Sequence, residues 1–493
     1  MGLLHELLAE RAAGRPHRCF LADARSERSF DFAVLRTVAD AWCRQLDAAG
    51  VPPGARVLVD IEDPLAFCAV HLSVIAAGRC SAPVDPAAPP AEADRTRRAL
   101  RPWLTVSDRP SGSILCVNPA TGLPAEPPAP GSVTESPGRP MGSVALLTSG
   151  STGTPKTVVL TERQLLHAAR CVVSHHQLSA ADRGFNPLPL FHINAEIIAL
   201  LATVVAGGTL VLDRRFHRTG FWELLAERGI TWVNAVPAIL SILALDRVHT
   251  VPPALRFIRS ASAALPATAR AQMVSRTGVA VVESYGMTEA ASQITATPLG
   301  GGHPPGSVGQ PVGVELEVVG PDGRRCPPDV VGRVRIRGES VITAYADGVA
   351  AERFNGAGWL DTGDLGRLDD EGYLYLAGRR DDVVNCGGEL VHPSEVEEVL
   401  LGEAAVAQAA VAGCPHQVLG AVPVAWIQPV RMLDAGHADQ LVSRLRVRCE
   451  QQLSRVKRPV EYRIVGDLPR TATGKVLRRQ LREDAGRLEV PSL

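Results

Sequence analysis

Residues 144–160 have the sequence VALLTSGSTGTPKTVVL, in which two short apolar runs flank a loop rich in glycine, serine and threonine. Apolar runs of this length, separated by turn-forming residues, predict a strand, a loop and a second strand. The glycines allow backbone N–H groups to turn toward an anion, the hydroxyls add donors, and Lys156 adds a positive charge. This composition is typical of a phosphate-binding loop, but taken alone it is equally compatible with a flexible surface hairpin.

The loop differs from a Walker A loop in two respects. Pro155 occupies the position of the second glycine, and the loop leads into a strand, whereas a Walker loop opens a helix. The next helix is predicted only after this strand, where Thr161 and Gln164 have the spacing of a capping box. From residue 185 to 345 strand-like and helical segments alternate, which is typical of α/β architecture. Within that part, residues 332–338 (GRVRIRG) alternate like a half-buried antiparallel strand.

The composition of the chain excludes several classes of protein. Its 493 residues include 51 Lys and Arg and 52 Asp and Glu, and a net charge of −1 argues against nucleic-acid binding through bulk charge. The sequence has no apolar run long enough to predict a membrane span, and its N-terminus lacks the features of a signal peptide. The ten cysteines form no C-x-x-C pair, so we expect reduced thiols and a cytoplasmic location.

Lysine is rare in this chain. Only Lys156, Lys457 and Lys475 are lysines, and the remaining basic residues are arginines. A retained lysine can mark a position that needs a compact ammonium group, which a planar guanidinium does not replace. Chance survival is the alternative explanation.

Four further segments carry residue types suited to nucleotide chemistry. Residues 285–289 (YGMTE) could stack a base, admit close backbone approach, contact a phosphate and hold Mg²⁺. Residues 359–364 (WLDTGD) end in a carboxylate that could accept hydrogen bonds from ribose hydroxyls. Residues 378–389 (GRRDDVVNCGGE) and 469–475 (PRTATGK) add arginines, paired glycines and a C-terminal lysine. Each segment alone is also compatible with an ordinary turn or strand end.

In this order and spacing, the five segments resemble the adenylate-forming enzyme superfamily, which contains acyl-CoA synthetases, carrier-loading adenylation domains and beetle luciferases. The resemblance covers essentially the whole chain and is strongest to acyl-CoA ligases. It implies an α/β fold with a large, multi-subdomain N-terminal domain at residues 1–380, in which helices pack on β-sheets. It implies that a small, mobile α+β domain follows at residues 381–493, with a hinge near Asp381.

The resemblance also implies a two-step reaction. A carboxylic acid is activated by ATP to an acyl adenylate with release of pyrophosphate, and the acyl group is then transferred to the CoA thiol with release of AMP. The implied co-substrates and cofactor are ATP, CoA and Mg²⁺, and the implied substrate is a small carboxylic acid. The alternatives are a stand-alone enzyme that loads a carrier protein, and a binding protein that keeps the fold without catalysis. A monomer and a homodimer are both compatible with the sequence.

Particular residues receive roles from the resemblance. The implied catalytic residues are Lys475, which acts in adenylate formation, Thr288 near the α-phosphate, His192, and Glu289, which associates with Mg²⁺. The implied ATP-binding residues include the loop that grips the β- and γ-phosphates, a tyrosine on adenine, an aspartate on the ribose and an arginine nearby: Thr148, Ser149, Gly150, Ser151, Thr152, Gly153, Lys156, Ser262, Tyr285, Gly286, Asp364 and Arg379.

The implied acyl pocket is lined by the segment around a histidine, by a loop of small residues and by residues near the adenine aromatic: His192, Asn194, Glu196, Ala261, Ala263, Ser284, Gly286, Met287 and Ser292. Asn194 and Glu196 are polar in an otherwise apolar run, so they need partners if that run is buried. One interpretation is recognition of a polar or cationic group on the acid. The other is that Asn194 caps a helix whose first turn contains Glu196.

The implied CoA tunnel is lined by glycines and basic residues of the small domain: Gly387, Gly388, Lys457 and Arg458. A solvated basic turn is the alternative interpretation of the two basic residues. Leu419 and Val456 stand where some relatives place an aromatic residue near the adenine of CoA, which weakens the CoA hypothesis without excluding it.

Overall fold

The computed structural model describes residues 2–109, 114–126, 140–148, 156–244, 251–387, 389–416, 418–470 and 476–485. Ser149–Gly153, Gly388 and Lys475, all of them predicted site residues, lie outside the described residues. The helices of the described residues are, in chain order, α1 (Leu3–Gly14), α2 (Phe32–Ala48), α3 (Pro64–Ala76), α4 (Pro90–Leu100), α5 (Glu162–His176), α6 (Ala202–Ala206), α7 (Phe221–Glu227), α8 (Pro237–Ala244), α9 (Ala267–Thr277), α10 (Pro393–Leu401), α11 (Ala435–Gln452) and α12 (Arg478–Ala485).

The strands alternate with these helices along most of the chain. In chain order they are β1 (Cys19–Asp23), β2 (Ser29–Asp31), β3 (Arg56–Asp60), β4 (Cys80–Pro83), β5 (Leu104–Ser107), β6 (Ile114–Cys116), β7 (Ser143–Thr148), β8 (Lys156–Thr161), β9 (Arg183–Asn186), β10 (Thr209–Leu212), β11 (Trp232–Ala235), β12 (Phe257–Ser260), β13 (Ala280–Met287), β14 (Ser292–Ala296), β15 (Gln310–Pro311), β16 (Glu315–Val319), β17 (Gly332–Arg337), β18 (Leu360–Leu368), β19 (Leu374–Arg379), β20 (Val384–Cys386), β21 (Glu389–Val391), β22 (Val406–His416), β23 (Gly420–Pro429) and β24 (Glu461–Ile464).

Two mostly parallel sheets form the first part of the chain. One has the strand order β6-β5-β3-β4-β7-β8, and the other has the order β15-β14-β13-β12-β11-β9-β10-β1-β2. Helix α3 is buried along its whole length, which fits a sequence that is apolar except for His71 and Ser73. In parallel sheets of this kind, ligands bind beyond the carboxyl ends of the strands. In this chain β7 ends at Thr148 and β13 ends at Met287, so both predicted nucleotide-binding segments lie at such ends.

The paired strands β7 and β8 confirm the two strands predicted on either side of the glycine- and serine-rich segment. The two strands are antiparallel, and the register brings Thr148 opposite Lys156 at the two ends of the loop. Helix α5 follows directly. Thr161 accepts a hydrogen bond from the backbone of Gln164, and the Gln164 side chain accepts from the backbone of Thr161, so the predicted capping box is present.

A third sheet is antiparallel, with the order β16-β17-β18-β19. Its strand β17 alternates between buried and half-exposed residues, as the sequence of residues 332–338 predicts. The last part of the chain forms a sheet of order β21-β20-β23-β22 with β24 beside β23, covered by the last three helices. Among the described residues, its hydrophobic core consists only of residues from Val384 onward. These features confirm the predicted fold class, whereas the domain boundary at 380/381, the hinge at Asp381 and the mobility of the second domain remain predictions.

Candidate functional site

Tyr285, Asp364 and Arg379 meet at the carboxyl end of β13. The Tyr285 hydroxyl donates a hydrogen bond of 2.5 Å to Oδ2 of Asp364. Arg379 lies directly opposite Asp364 in the register of β18 and β19, with its Nε 3.5 Å from Oδ1. Burial, and after it the charge of Asp364, raises the pKa of Tyr285 well above its ordinary value, so the phenol stays protonated and donates. The carboxylate is therefore oriented from two sides and suited to accept hydrogen bonds from a diol.

A second cluster surrounds Glu289. Its Oε1 accepts a hydrogen bond of 2.7 Å from the Tyr345 hydroxyl and lies 3.4 Å from Nη1 of Arg353. Lys156, at the end of the loop, places its Nζ 5.0 Å from the centre of the Tyr345 ring. Burial, followed by the charge of Glu289, raises the pKa of Tyr345 above its ordinary value. Lys156 and Glu289 therefore both contact Tyr345, the lysine at the ring and the glutamate at the hydroxyl.

Arg353 joins the two clusters. Its Nε donates to the backbone oxygen of Asp361, in the strand β18 that also carries Asp364. The side chain of Asp361 is buried and paired with Arg333 and Arg380. Tyr345 and Arg353 are not predictable as site residues from the sequence, because no local pattern marks them.

The carboxylate of Glu289 fits a role beside Mg²⁺ held by a nucleotide. Among the described residues no group of three or more His, Cys, Asp or Glu side chains could enclose a metal ion. Mg²⁺ at nucleotide sites is commonly bound by one or two carboxylates together with phosphate oxygens and water. A single buried carboxylate, held in place by Tyr345 and Arg353, meets that requirement.

The backbone around Gly286 shows why glycine stands there. A Cβ at this position would lie 1.6 Å from the backbone oxygen of Ser292, so the approach of β13 to β14 excludes any side chain. Ser292 and Ser262 have positive φ values of 86° and 77°. Such backbone conformations in residues other than glycine cluster at functional sites, and both serines belong to the predicted site. Met287 pairs with Ser292 in the same hairpin.

On the acyl side, His192 is mostly buried and its ring lies 4.5 Å from the ring of Phe191, centre to centre. Burial lowers the pKa of His192 to about 4, despite the opposing charge of Asp85, so the imidazole is neutral at physiological pH. The chain then enters a π-helical segment, Ala195–Leu201, which continues into α6. π-Helical segments are rare and occur frequently at functional sites.

The structure contradicts the capping interpretation of Asn194. Its backbone is already helical, with φ −61° and ψ −53°, and its side chain makes no capping hydrogen bond. Instead its Nδ2 donates a hydrogen bond of 3.3 Å to Oγ of Ser262, and its Oδ1 accepts one of 2.9 Å from Nη1 of Arg259. Arg259, which no local sequence pattern marks, therefore contacts the predicted acyl pocket.

Glu196 contacts a different residue. Its Oε1 lies 3.1 Å from Nε2 of His71 on α3, and both side chains are buried. Nδ1 of His71 is 2.8 Å from the Ser81 hydroxyl. This Ser-His-Glu arrangement lies in the core without access to solvent, so the contacts of Glu196 support a structural role.

We expect Glu196→Ala to lower the free energy of unfolding by about 3–5 kcal/mol, because removing one partner leaves the other buried without compensation. Denaturant unfolding checks this, with the exposed Glu223→Ala as a control that should change the free energy by less than about 1 kcal/mol. A ten-fold rise in the KM for the acid with unchanged stability would contradict the structural role.

The other predicted pocket residues differ in exposure. Ala261 and Ser284 are buried, and the Ser284 hydroxyl donates to Oε1 of Gln293 at 3.3 Å, whereas Ala263 is exposed. Thr288 opens a short 3₁₀ turn, Thr288–Ala290, that positions Glu289.

The predicted CoA contacts lie in the second part of the chain. Lys457 forms an ion pair of 2.6 Å with Glu395, and Arg458 donates to the backbone oxygens of Leu453 and Glu450. Gly387 has a positive φ of 62°. Asp381, the predicted hinge, lies in a 3₁₀ turn, Arg380–Asp382, between β19 and β20.

Comparison with known families decides the classification. The model of the AMP-binding enzyme family matches residues 8–346, and that of the AMP-binding enzyme C-terminal domain matches residues 395–475. The chain belongs to the AMP-binding enzyme family. The predicted superfamily is thereby confirmed.

The curated relatives of this AMP-binding enzyme include several CoA ligases. It is 36% identical to a sulfoacetate–CoA ligase of Cupriavidus necator over 97% of each chain. It is 32% identical to an oxalate–CoA ligase of Arabidopsis thaliana, covering 93% of this chain and 92% of the relative. Among solved structures, the o-succinylbenzoate CoA synthetase from Bacillus subtilis in complex with its acyl-adenylate intermediate matches with a TM-score of 0.84 and 27% identity over 99% of each chain. Among the described helices, none is both long and apolar enough to span a membrane.

Proposed function

We propose that this chain is an AMP-forming acyl-CoA ligase. It activates a small carboxylic acid with Mg-ATP to an acyl adenylate, releases pyrophosphate, and transfers the acyl group to CoA with release of AMP. The geometric observation that carries the proposal is the meeting of Lys156 and Glu289 at Tyr345, next to the Tyr285–Asp364–Arg379 cluster. Full-length similarity to CoA ligases supports CoA as the acceptor over a carrier protein.

The first step needs no general base. A carboxylic acid with a pKa near ~4–5 is already ionised at neutral pH, and its oxygen attacks the α-phosphorus while pyrophosphate leaves. The protein must therefore hold negative charge in place. In our proposal Lys156 and Lys475 contact the phosphates and Thr288 lies near the α-phosphate. Mg²⁺, when bound beside Glu289, neutralises phosphate charge.

The nucleoside end is held by the first cluster. We propose that the Tyr285 ring stacks on adenine while Asp364 accepts hydrogen bonds from the ribose hydroxyls, with Arg379 beside it. The Tyr285 hydroxyl and Arg379 already orient the carboxylate of Asp364, so little reorganisation is needed on binding.

In the second step the CoA thiol attacks the carbonyl carbon of the adenylate, and AMP leaves. We propose that the second domain rotates about Asp381 between the two steps and brings Gly387 and Gly388 to the site. Lys457 would have to exchange its ion pair with Glu395 for a CoA phosphate. The cytoplasm remains our proposed location.

The names of the relatives leave the acid open. Sulfoacetate, oxalate and 2-succinylbenzoate each carry a second acidic group, whereas indoleacetate, the acid of another relative, does not.

Pyrophosphate release from Mg-ATP, measured across a panel of carboxylic acids with and without CoA, tests the proposed function. We expect acid-dependent release that CoA accelerates, together with a detectable thioester. Release that CoA leaves unchanged, without thioester, would favour a carrier protein as the acceptor. ATP binding without release for any acid would favour the binding-protein hypothesis.

A further inference from the structure

Arg259 is a buried charge without an ionic partner. Its side chain, at the end of β12, is 1% exposed, and none of the carboxylates in the described residues forms an ion pair with it. Its Nη1 donates to the amide oxygens of Asn194 and Asn234, at 2.9 Å and 3.3 Å, and its Nε has no hydrogen-bond partner there. An unpaired buried charge is costly, so the presence of Arg259 at this position needs an explanation.

The groups that face Arg259 do not compensate its charge. Burial, and after it the charge of Arg259, lowers the pKa values of His175 and His176 on α5, so both imidazoles favour the neutral form. Asn234 is neutral, and the carboxylate of Glu196 lies 3.1 Å from His71 and forms no ion pair with Arg259 among the described residues. Burial lowers the pKa of Arg259 to about 9, which still leaves the guanidinium charged at neutral pH.

Arg259 also decides which end of the Asn194 amide faces the pocket. A guanidinium only donates hydrogen bonds, so the atom of Asn194 that contacts it must be the oxygen, Oδ1. The Nδ2 group is thereby directed to the Ser262 side, where its present acceptor is the Ser262 hydroxyl. The predicted acyl pocket therefore presents an N–H donor that is polarised by the positive charge of Arg259 on the other end of the same amide.

We propose that Asn194, oriented by Arg259, binds a second anionic group on the acid, and that the substrates are short acids carrying two negative charges, such as dicarboxylates or sulfonated carboxylates. This inference rests on the proposed function. Arg259 is a positioning residue, because it acts through the amide of Asn194. A hydrogen bond that involves a charged group contributes about 10-fold to 100-fold in binding.

Matched acid pairs test the proposal. Each pair consists of a dianion and an analogue that keeps one carboxylate but whose second group is uncharged (a neutral-ended acid): sulfoacetate with methylsulfonylacetate, malonate with monomethyl malonate, and oxalate with oxamate. The measured quantity is the ratio of kcat/KM values within each pair, from pyrophosphate release by the full chain. We expect the unaltered protein to prefer the dianion at least about 10-fold in at least one pair.

Two variants separate the charge from the donor. Asn194→Asp keeps an acceptor for Arg259 but replaces the N–H donor by a negative charge, so the ratio of the kcat/KM values within each pair should fall about 10-fold to 100-fold. Its thermal unfolding temperature should not fall, because the new carboxylate pairs with Arg259. Arg259→Gln keeps a donor toward Asn194 without the charge, and the ratio should fall by a smaller factor. If Arg259→Gln does not fold, Asn194→Asp alone decides.

A preference for the neutral-ended acids in all three pairs, or an equal loss for both members in Asn194→Asp, would overturn the inference and leave the proposed function intact. Absence of pyrophosphate release with every acid would overturn both.

Discussion

Replacing Lys475 by alanine is expected to slow acyl-adenylate formation at least ~10²-fold, the size of effect seen when one preorganised charge-stabilising donor is removed. Negative charge accumulates around the α-phosphate as the carboxylate oxygen attacks, and the lysine is the compact cation that the resemblance assigns to that step. Transfer of the acyl group from supplied acyl adenylate to CoA should survive. Single-turnover measurement of each half-reaction separates the two.

Arg479→Ala is the matched control for this variant. Arg479, four residues further along the chain than Lys475, lies in α12 and is mostly exposed. Among the described residues its only ion pair is with Glu483. Such a surface pair contributes little, so both half-reactions should stay close to those of the unaltered protein. Equal loss of both half-reactions in Lys475→Ala would contradict the assignment.

Glu289→Gln is expected to lower the rate of pyrophosphate release about 10-fold to 100-fold at limiting Mg²⁺. The variant keeps the shape of the side chain and its acceptor oxygen for Tyr345, but it removes the negative charge that faces Arg353 and the proposed metal. The Mg²⁺ concentration that gives half-maximal activity should rise. Titration of activity with Mg²⁺ at saturating ATP measures this shift.

Tyr345→Phe provides the comparison. It removes the hydrogen bond to Oε1 of Glu289 and keeps the aromatic ring beside Lys156, so its loss of activity should stay below about 10-fold. The thermal unfolding temperatures of both variants show whether any loss of activity is caused by a loss of stability. An unchanged Mg²⁺ dependence in Glu289→Gln would exclude Glu289 as a metal-associated carboxylate.

The parts of the fold that were predictable from sequence depend on neighbours along the chain. The hairpin around residues 144–160 follows from apolar runs and turn residues, and the Thr161 capping box involves positions only three residues apart. The alternation in β17 follows from one sheet face being buried. In each case the local pattern and the tertiary environment favour the same structure.

The parts that were missed depend on contacts distant in sequence. Tyr345 and Arg353 reach Glu289 across 56 and 64 residues, and Arg259 reaches Asn194 across 65. The interpretation of Asn194 as a helix cap was wrong because its backbone is already helical and Arg259 takes its oxygen. The spacing of residues around Asn194 gives no indication of Arg259. The apolar run therefore predicts a helix, but it does not predict which polar side chain forms a hydrogen bond with Asn194.

The central claim is that an acid oxygen attacks the α-phosphorus of ATP. An accepted acid labelled with ¹⁸O in its carboxylate, incubated with Mg-ATP and CoA, tests it by mass spectrometry of the products. Our account predicts one labelled oxygen in AMP, because the attacking oxygen stays on phosphorus when the CoA thiol displaces AMP from the carbonyl carbon. Thioester formation with unlabelled AMP, or with the label in inorganic phosphate, would contradict it.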